Sequence, residues 1–274
     1  MDSNKPTSVS EKSALDTVRG RWIIRFLEKQ IDLKGCSVLD IGCVGAGQGA
    51  ISLAFAEKAA QVYSGDISKP GLLKVKDRAS TAGFANVFLF NLNAISLPFK
   101  QGFFDLVIIN GVLEYVPLGI EGNPRQIQLD ALKEVRRVLK EDGLFYLGIE
   151  NRFFIGYFLG KKDHSNIRFI TPLPRKLADI YANIVSGKGY RHYVYGMRGY
   201  RKILQEAGFK KVDFYTAIPS YQYPEYIVKF EDNNETKRHM DMVFKGTYKW
   251  GGRLLNILKL NKVFGYNFVI LSRR

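Results

Sequence analysis

The sequence predicts an α/β protein: a seven-stranded, mostly parallel sheet with helices on both faces. Three observations predict it. Apolar runs of strand length alternate with segments of helical period from residue 38 to 149, and that alternation builds parallel sheets. The first run passes through Asp40 into a glycine-rich loop, Gly42-Cys43-Val44-Gly45-Ala46-Gly47-Gln48-Gly49, and a helix-period segment follows. The run 104–110 is apolar almost throughout, as expected of a strand buried on both faces.

Each element has its own local reason. A helix over 14–30 puts Leu15, Val18, Trp22, Ile23, Phe26 and Leu27 on one face. Residues 1–13 are polar and read as a disordered tail. Residues 38–41 form the first strand, 50–60 a helix, and 61–66 a second strand that ends in an acid. Ser68 followed by Pro70 marks a helix start, and that helix runs to about residue 82. Strands follow at 86–90 and 104–110. A helix at 125–139 stops at Asp142-Gly143, and 144–149 is the fifth strand.

The alternation then breaks. Residues 151–195 are irregular, aromatic and basic, with one helix near 175–185. A helix at 198–207 ends on Gly208. Strands six and seven fall at 211–217 and 266–271, the seventh as antiparallel hairpin partner of the sixth. Residues 14–274 therefore read as one domain, with a core over 36–150 and insertions at 151–195 and 219–262 that cap the carboxyl edge of the sheet.

Composition excludes several classes. No apolar run approaches the ~18 residues that span a bilayer. Two cysteines, Cys36 and Cys43, argue against a disulfide scaffold and for a reducing, cytoplasmic setting. Three scattered histidines give no metal-ligand spacing. The charge is lopsided: net +2 over residues 1–149 and +13 over 150–274. That excess predicts an anionic partner: an acidic or phosphorylated substrate, nucleic acid, or a membrane surface contacted peripherally.

Two readings compete for the glycine loop. Gly45-Ala46-Gly47-Gln48-Gly49-Ala50 fits the dinucleotide fingerprint, with Asp66 at the distance of a ribose contact. The other reading starts from Asp40-Ile41-Gly42, an acid at the strand end, which suits a ligand bearing a cation or hydroxyls as well as an anion. S-adenosylmethionine is such a ligand. Downstream segments favour the second: Val62-Tyr63-Ser64-Gly65-Asp66, Leu97-Pro98-Phe99, Phe104-Asp105-Leu106-Val107, Val112-Leu113-Glu114-Tyr115-Val116, and Leu132-Lys133-Glu134-Val135-Arg136-Arg137-Val138-Leu139-Lys140 before Asp142-Gly143. In order and spacing, residues 36–150 resemble the class I S-adenosylmethionine-dependent methyltransferases.

That resemblance implies a Rossmann-like fold and a set of cofactor contacts. Asp40 and Gly42 take the methionine end, with Cys43, Gly45 and Gly47 of the loop. Asp66 accepts the ribose hydroxyls, with Ile67 beside it. Asn93 stands where the family often has Asp, against the adenine, and Ala94 offers its backbone N–H. Asn110 follows the fourth strand beside the methyl group. Plainer roles stay open: turn residue for Asp66, loop cap for Asn93. Val44 stands where the family's second glycine is expected, so the loop carries a one-residue insertion.

Substrate chemistry falls to the second half. Residues 150–226 are similar to bacterial methyltransferases that accompany sugar and cell-surface polysaccharide synthesis, which implies O-methylation of a sugar, glycan or other polar, anionic small molecule. A hydroxyl acceptor benefits from a base. His164 is the first candidate, oriented by Asp163 or another acid. Glu150, at the end of strand five, is the second. Their plainer roles are an exposed loop histidine and an ion pair with Arg152. Arg152, Arg175 and Arg198 offer bidentate anion contacts, and Tyr195, with Tyr193, Tyr221 and Tyr223, an aromatic wall. Basic and apolar residues interleave over 248–263, which suits a lid or a membrane surface. The rivals are an RNA methyltransferase, favoured by the basic half but without an Asn-Pro-Pro-Tyr-like tetrapeptide after strand four, a non-catalytic cofactor-binding subunit, and a nicotinamide oxidoreductase.

Overall fold

The computed structural model describes residues 9–45, 47–243 and 260–274, with backbone alone for 9–17. Apolar alternation becomes a mixed sheet of eight strands. These are β1 (Ser37–Ile41), β2 (Gln61–Asp66), β3 (Val87–Asn91), β4 (Phe104–Asn110), β5 (Leu139–Glu150), β6 (Lys211–Ile218), β7 (Tyr226–Lys229) and β8 (Asn267–Arg273). Their order is β3-β2-β1-β4-β5-β8-β6-β7. β1 to β5 pair in parallel, and β8 is antiparallel to both β5 and β6.

This corrects the predicted sheet in two ways. An eighth strand, β7, pairs antiparallel with β6 at the sheet edge. It is only four residues long and follows a proline-bearing stretch, so its two-residue period is too brief to read. The last strand does pair antiparallel with β6 as expected, but β7 intervenes in the chain, so it is not a simple hairpin: it inserts between β5 and β6, and its buried pattern over Asn267–Arg273 fits a central strand.

The two-residue period of the strands divides the core. Leu39, Val107, Ile109, Phe145, Leu147, Phe268 and Ile270 face one layer, with α4 (Pro124–Val138) and α7 (Met197–Glu206) packed on it. Val38, Leu106, Ile108, Leu144, Tyr146, Val269 and Leu271 face the other, under α1 (Val9–Leu27) and α2 (Ala50–Ala56). α1 starts earlier than predicted, and residues 1–8 of the expected tail lie outside the described residues. α3 (Lys69–Thr81) starts as predicted, with Ser68 Oγ accepting from the Gly71 N–H and Pro70 in the first turn.

Residues 151–195 carry α5 (Ile155–Phe158) and α6 (Arg175–Ser186), and a small core of Ile167, Ile170, Ala178, Ala182 and Tyr190 holds them together. α8 (Asn233–Val243) lies against β6 and β7, and α9 (Asn261–Phe264) leads into β8. Most of the basic segment 248–263 lies outside the described residues. Among the described residues, no helix is long and apolar enough to cross a membrane.

Candidate active site

Parallel strands open a crevice at their carboxyl ends where the order reverses, here between β1 and β4. A cavity of about 510 Å³ lies there. All ten residues expected to touch the cofactor line it: Asp40, Gly42, Cys43, Gly45, Gly47, Asp66, Ile67, Asn93, Ala94 and Asn110.

The loop after β1 is built for close approach. Gly42 has φ 81°, and a Cβ there would fall 2.2 Å from Val112 Cγ2, so only glycine fits. Its N–H donates to the Gly65 carbonyl at 2.7 Å, which ties the loop to β2. The extra residue, Val44, spends its N–H on Asp66 Oδ2 at 3.0 Å and packs its side chain on Gly71 of α3. Arg78 of α3 donates to the carbonyls of Gly47 and Gln48 at 2.8 and 2.6 Å and clamps the loop from outside.

The acids differ in environment. Asp40 is buried and accepts from Ser52 Oγ at 2.6 Å; burial pushes its carboxyl up to about 6. Asp66 is half-buried and also accepts from the Ser68 N–H at 2.9 Å, so it does serve as a turn residue, with one lone pair left on each oxygen. Asn93 Oδ1 likewise caps the Ile95 N–H at 3.2 Å while lining the cavity. Asn110 is buried, and neither of its amide atoms has a hydrogen-bond partner. Buried amides are normally satisfied, so this one stands out in the lining of the cavity.

Arg19 of α1 was missed in the sequence. It is 6% exposed, lines the cavity beside Gly47 and Asp40, and its Nε has no partner. A cation followed by Trp22 and Ile23 on an amphipathic helix gave no sign that it would turn inward.

The two expected bases meet. His164 Nε2 lies 3.2 Å from Glu150 Oε2, a separation at which a charged imidazolium would pair with the carboxylate. His164 Nδ1 pairs with the Tyr115 hydroxyl at 2.5 Å. Glu150 accepts from Tyr157 at 2.5 Å and from Tyr266 at 3.3 Å. Burial pushes Glu150 up, but the His164 bond and charge and the Tyr157 hydroxyl outweigh it and hold the carboxyl below its usual value. Burial lowers His164, and Glu150 followed by Glu114 and Asp163 overturn that and raise it above 6.5. Asp163 does not orient the ring: its carboxylate is taken by Ser165 and the Tyr190 hydroxyl. Glu114 was also missed as a site residue; its Oε1 is 3.8 Å from His164 Nε2.

The expected substrate contacts lie elsewhere. Arg152 donates to the carbonyls of Thr171 and Leu173, at 3.1 and 2.5 Å, rather than to Glu150. Arg175 donates to the Val194 carbonyl and stacks over Tyr193. Tyr195 is buried and donates to Gln128 Oε1 at 2.7 Å. Arg198 is exposed on α7. None of the four lines the cavity. A long basic side chain next to a folded insertion finds backbone carbonyls first, and sequence cannot separate that from anion binding. The cavity is lined on that side instead by Val112, Tyr115, Val116, Leu118, Ile120, His164 and Tyr221. Among the described residues, no cluster of His, Cys, Asp and Glu is arranged to hold a metal.

Comparisons with known proteins agree with this geometry. A family profile described as "Methyltransferase domain" matches residues 39–147. The chain is 30% identical over 204 residues to a demethylmenaquinone methyltransferase of Geobacillus kaustophilus, covering 70% of this chain and 79% of the relative. It is 28% identical over 206 residues to one of Bacillus pumilus, covering 71% and 80%. A solved methyltransferase from Aquifex aeolicus superposes with TM-score 0.52 at 14% identity, covering 97% of this chain and 98% of that one. The [4+2]-cyclase SpnF superposes with TM-score 0.54 at 17% identity, covering 100% and 84%, and shares the fold alone. The dinucleotide and non-catalytic readings therefore fall away: this is an enzyme whose methyl donor is S-adenosylmethionine. With the reversed strand order, the acid-glycine loop and these relatives together, the chain belongs to the class I S-adenosylmethionine-dependent methyltransferases.

Proposed function

We propose that the enzyme methylates a hydroxyl-bearing, largely apolar acceptor, and that the His164–Glu150 pair removes the acceptor's proton. The observation that carries this reading is that His164 and Tyr115 open onto the same cavity as Asp40 and Asp66. When bound, S-adenosylmethionine supplies an electrophilic methyl group on its sulfonium. Asp66, with two lone pairs left, would accept from the ribose hydroxyls. Arg19 would hold the carboxylate of the methionine end and Asp40 its ammonium, with Gly42, Cys43, Gly45 and Gly47 allowing backbone approach. Asn93, Ala94 and Ile67 would hold the adenosine end, and Asn110 would serve the methionine end.

Neutral His164 points its Nε2 at Glu150 and accepts at Nδ1 from Tyr115. The acceptor gives its proton to the Tyr115 oxygen as Tyr115 gives its own to Nδ1. Glu150 then faces the imidazolium that forms, as an acid does in triad chemistry. Positioning and exclusion of water account for the rest.

The acceptor's character follows from the wall. Val112, Val116, Leu118, Ile120 and Tyr221 suit an aromatic or aliphatic body, and Tyr115 with His164 suits one hydroxyl. The relatives' names state a quinone acceptor, and a reduced, hydroxylated quinone-like ring has this chemistry. The anionic acceptor expected from the basic half gains nothing from Arg152, Arg175 and Arg198, which lie off the cavity, and the sugar or glycan that the resemblance implied gains nothing from the relatives' names. Incubation with methyl-labelled S-adenosylmethionine and a cell extract tests the reading. Label should enter the organic-soluble fraction, and His164→Ala should abolish it while S-adenosylhomocysteine still binds. Label in a glycosidase-sensitive or nuclease-sensitive fraction would overturn the acceptor assignment.

A further inference from the structure

We infer that the outer face of α6 is a docking surface for an anionic phospholipid bilayer. The helix has two apolar sides. Ala178 and Ala182 face inward and pack with Ile167 and Ile170. Leu177, Ile180 and Ile184 recur at helical spacing on the opposite side, and Val185 is exposed at the end of the helix. Their exposures are 52%, 56%, 77% and 54%. The fold of this segment is complete without them, so a row of large aliphatic side chains in water calls for an external cover.

Charge selects the cover. Residues 151–195 hold eight lysines and arginines against two aspartates. Both aspartates accept from Tyr190, Asp163 from its hydroxyl and Asp179 from its N–H. Lys176 and Lys188 are exposed at the two ends of the stripe. An apolar stripe between lysines matches acyl chains beneath anionic headgroups. A second copy of this chain would bring like charges together.

This surface belongs to the same insertion that brings His164 to the cavity, so docking would place the acceptor side of the site near the membrane. The inference goes beyond the acceptor assignment and does not depend on it.

The test uses the full chain and sedimentation with two vesicle types: phosphatidylcholine alone, and phosphatidylcholine with phosphatidylglycerol. The wild type should sediment with the anionic vesicles and release as salt rises. The double variant Ile180→Asp, Ile184→Asp should partition at least ~10-fold less, and Lys176→Glu, Lys188→Glu should weaken binding to anionic vesicles alone. Both variants alter exposed positions, so thermal melting and S-adenosylhomocysteine binding should match the wild type. Failure of the wild type to bind either vesicle overturns the inference. So does binding that survives the Ile180/Ile184 change, or a wild-type dimer in light scattering that the same change splits without any vesicle binding. Methylation of a water-soluble acceptor would leave the inference standing, and loss of vesicle binding would leave the acceptor assignment standing.

Discussion

Glu114 has no exposed surface, and neither of its carboxylate oxygens has a hydrogen-bond partner. Burial first, and the Glu150 charge second, push it up to about 7. In the unfolded chain the group ionises near its ordinary 4.5, so its contribution to stability is whole below that pH and is lost as pH rises toward 7. Glu114→Gln removes this titration. Relative to wild type, the variant should gain on the order of 3 kcal/mol in urea unfolding between pH 4.5 and pH 8, at about 1.4 kcal/mol per pKa unit. Parallel stability curves over that range would show that Glu114 is already ionised in the fold. His164 runs the other way in function. Its raised value means that the neutral, proton-accepting form appears only above pH 6.5, so turnover should climb through neutrality. A flat pH–rate profile for kcat would remove it as the base. Asp66→Ala should weaken S-adenosylhomocysteine binding by at least about 1.5 kcal/mol, the scale of hydrogen bonds to a charge. Unchanged affinity in calorimetry would reduce Asp66 to the turn role it already has through Val44 and Ser68.

At the scale of elements, α4 braces one wall of the cavity through one polar residue. Gln128 has no exposed surface; its Nε2 donates to the Leu113 carbonyl at 2.9 Å and to the Tyr193 carbonyl at 2.8 Å, and its Oε1 accepts from Tyr195. It thus joins the helix to the stretch carrying Glu114 and Tyr115 and to the insertion carrying His164. Gln128→Leu keeps the bulk and strands three buried polar groups, each costing roughly 1–3 kcal/mol. Urea unfolding should show a loss of at least about 2 kcal/mol, with a fall in kcat; a variant as stable as wild type would mean that water replaces the amide. Gln128 also marks where sequence reading stops. Elements with a strong period were legible: β1, β2, β4, α3 and α4 fall where apolar spacing and Ser68 put them, but α4 ends at Val138 and β5 begins at Leu139, so Asp142-Gly143 lies inside a strand and is not the helix stop it was expected to be. The glycine loop after β1 at the cavity was legible too, because glycine at φ 81° and an acid at a strand end are local requirements. The inward turn of Arg19, Gln128 and Glu114, and the outward turn of Arg152 and Arg175 onto carbonyls, depend on partners 15 to over 60 residues away. No local pattern carries that information. β7 escaped for the opposite reason, being too short to show a period.

For the whole molecule, the cavity is a meeting point of distant chain. Its lining runs from Arg19 of α1 through the ends of β1, β2 and β4 to His164 and on to Tyr221 after β6. Tyr221 packs so closely on Gly111 that a Cβ there would lie 2.8 Å from its ring, which locks the β6 exit against the β4 exit. A ligand that touches all these parts binds the folded state alone, since unfolding scatters them. At 100-fold excess over Kd, such binding adds about 2.7 kcal/mol to stability. For a chain of this size that corresponds to a rise of roughly 5–8 °C in Tm. S-adenosylhomocysteine should therefore raise Tm in a concentration-dependent way in calorimetric scans. The shift should shrink in Asp66→Ala and in Arg19→Ala, while NAD should leave Tm unchanged. The two variants separate the proposed ribose contact from the proposed methionine contact. If Arg19→Ala kept the full shift, its guanidinium would be a structural partner of Asp40 rather than a ligand contact, and the apo protein should then lose stability instead.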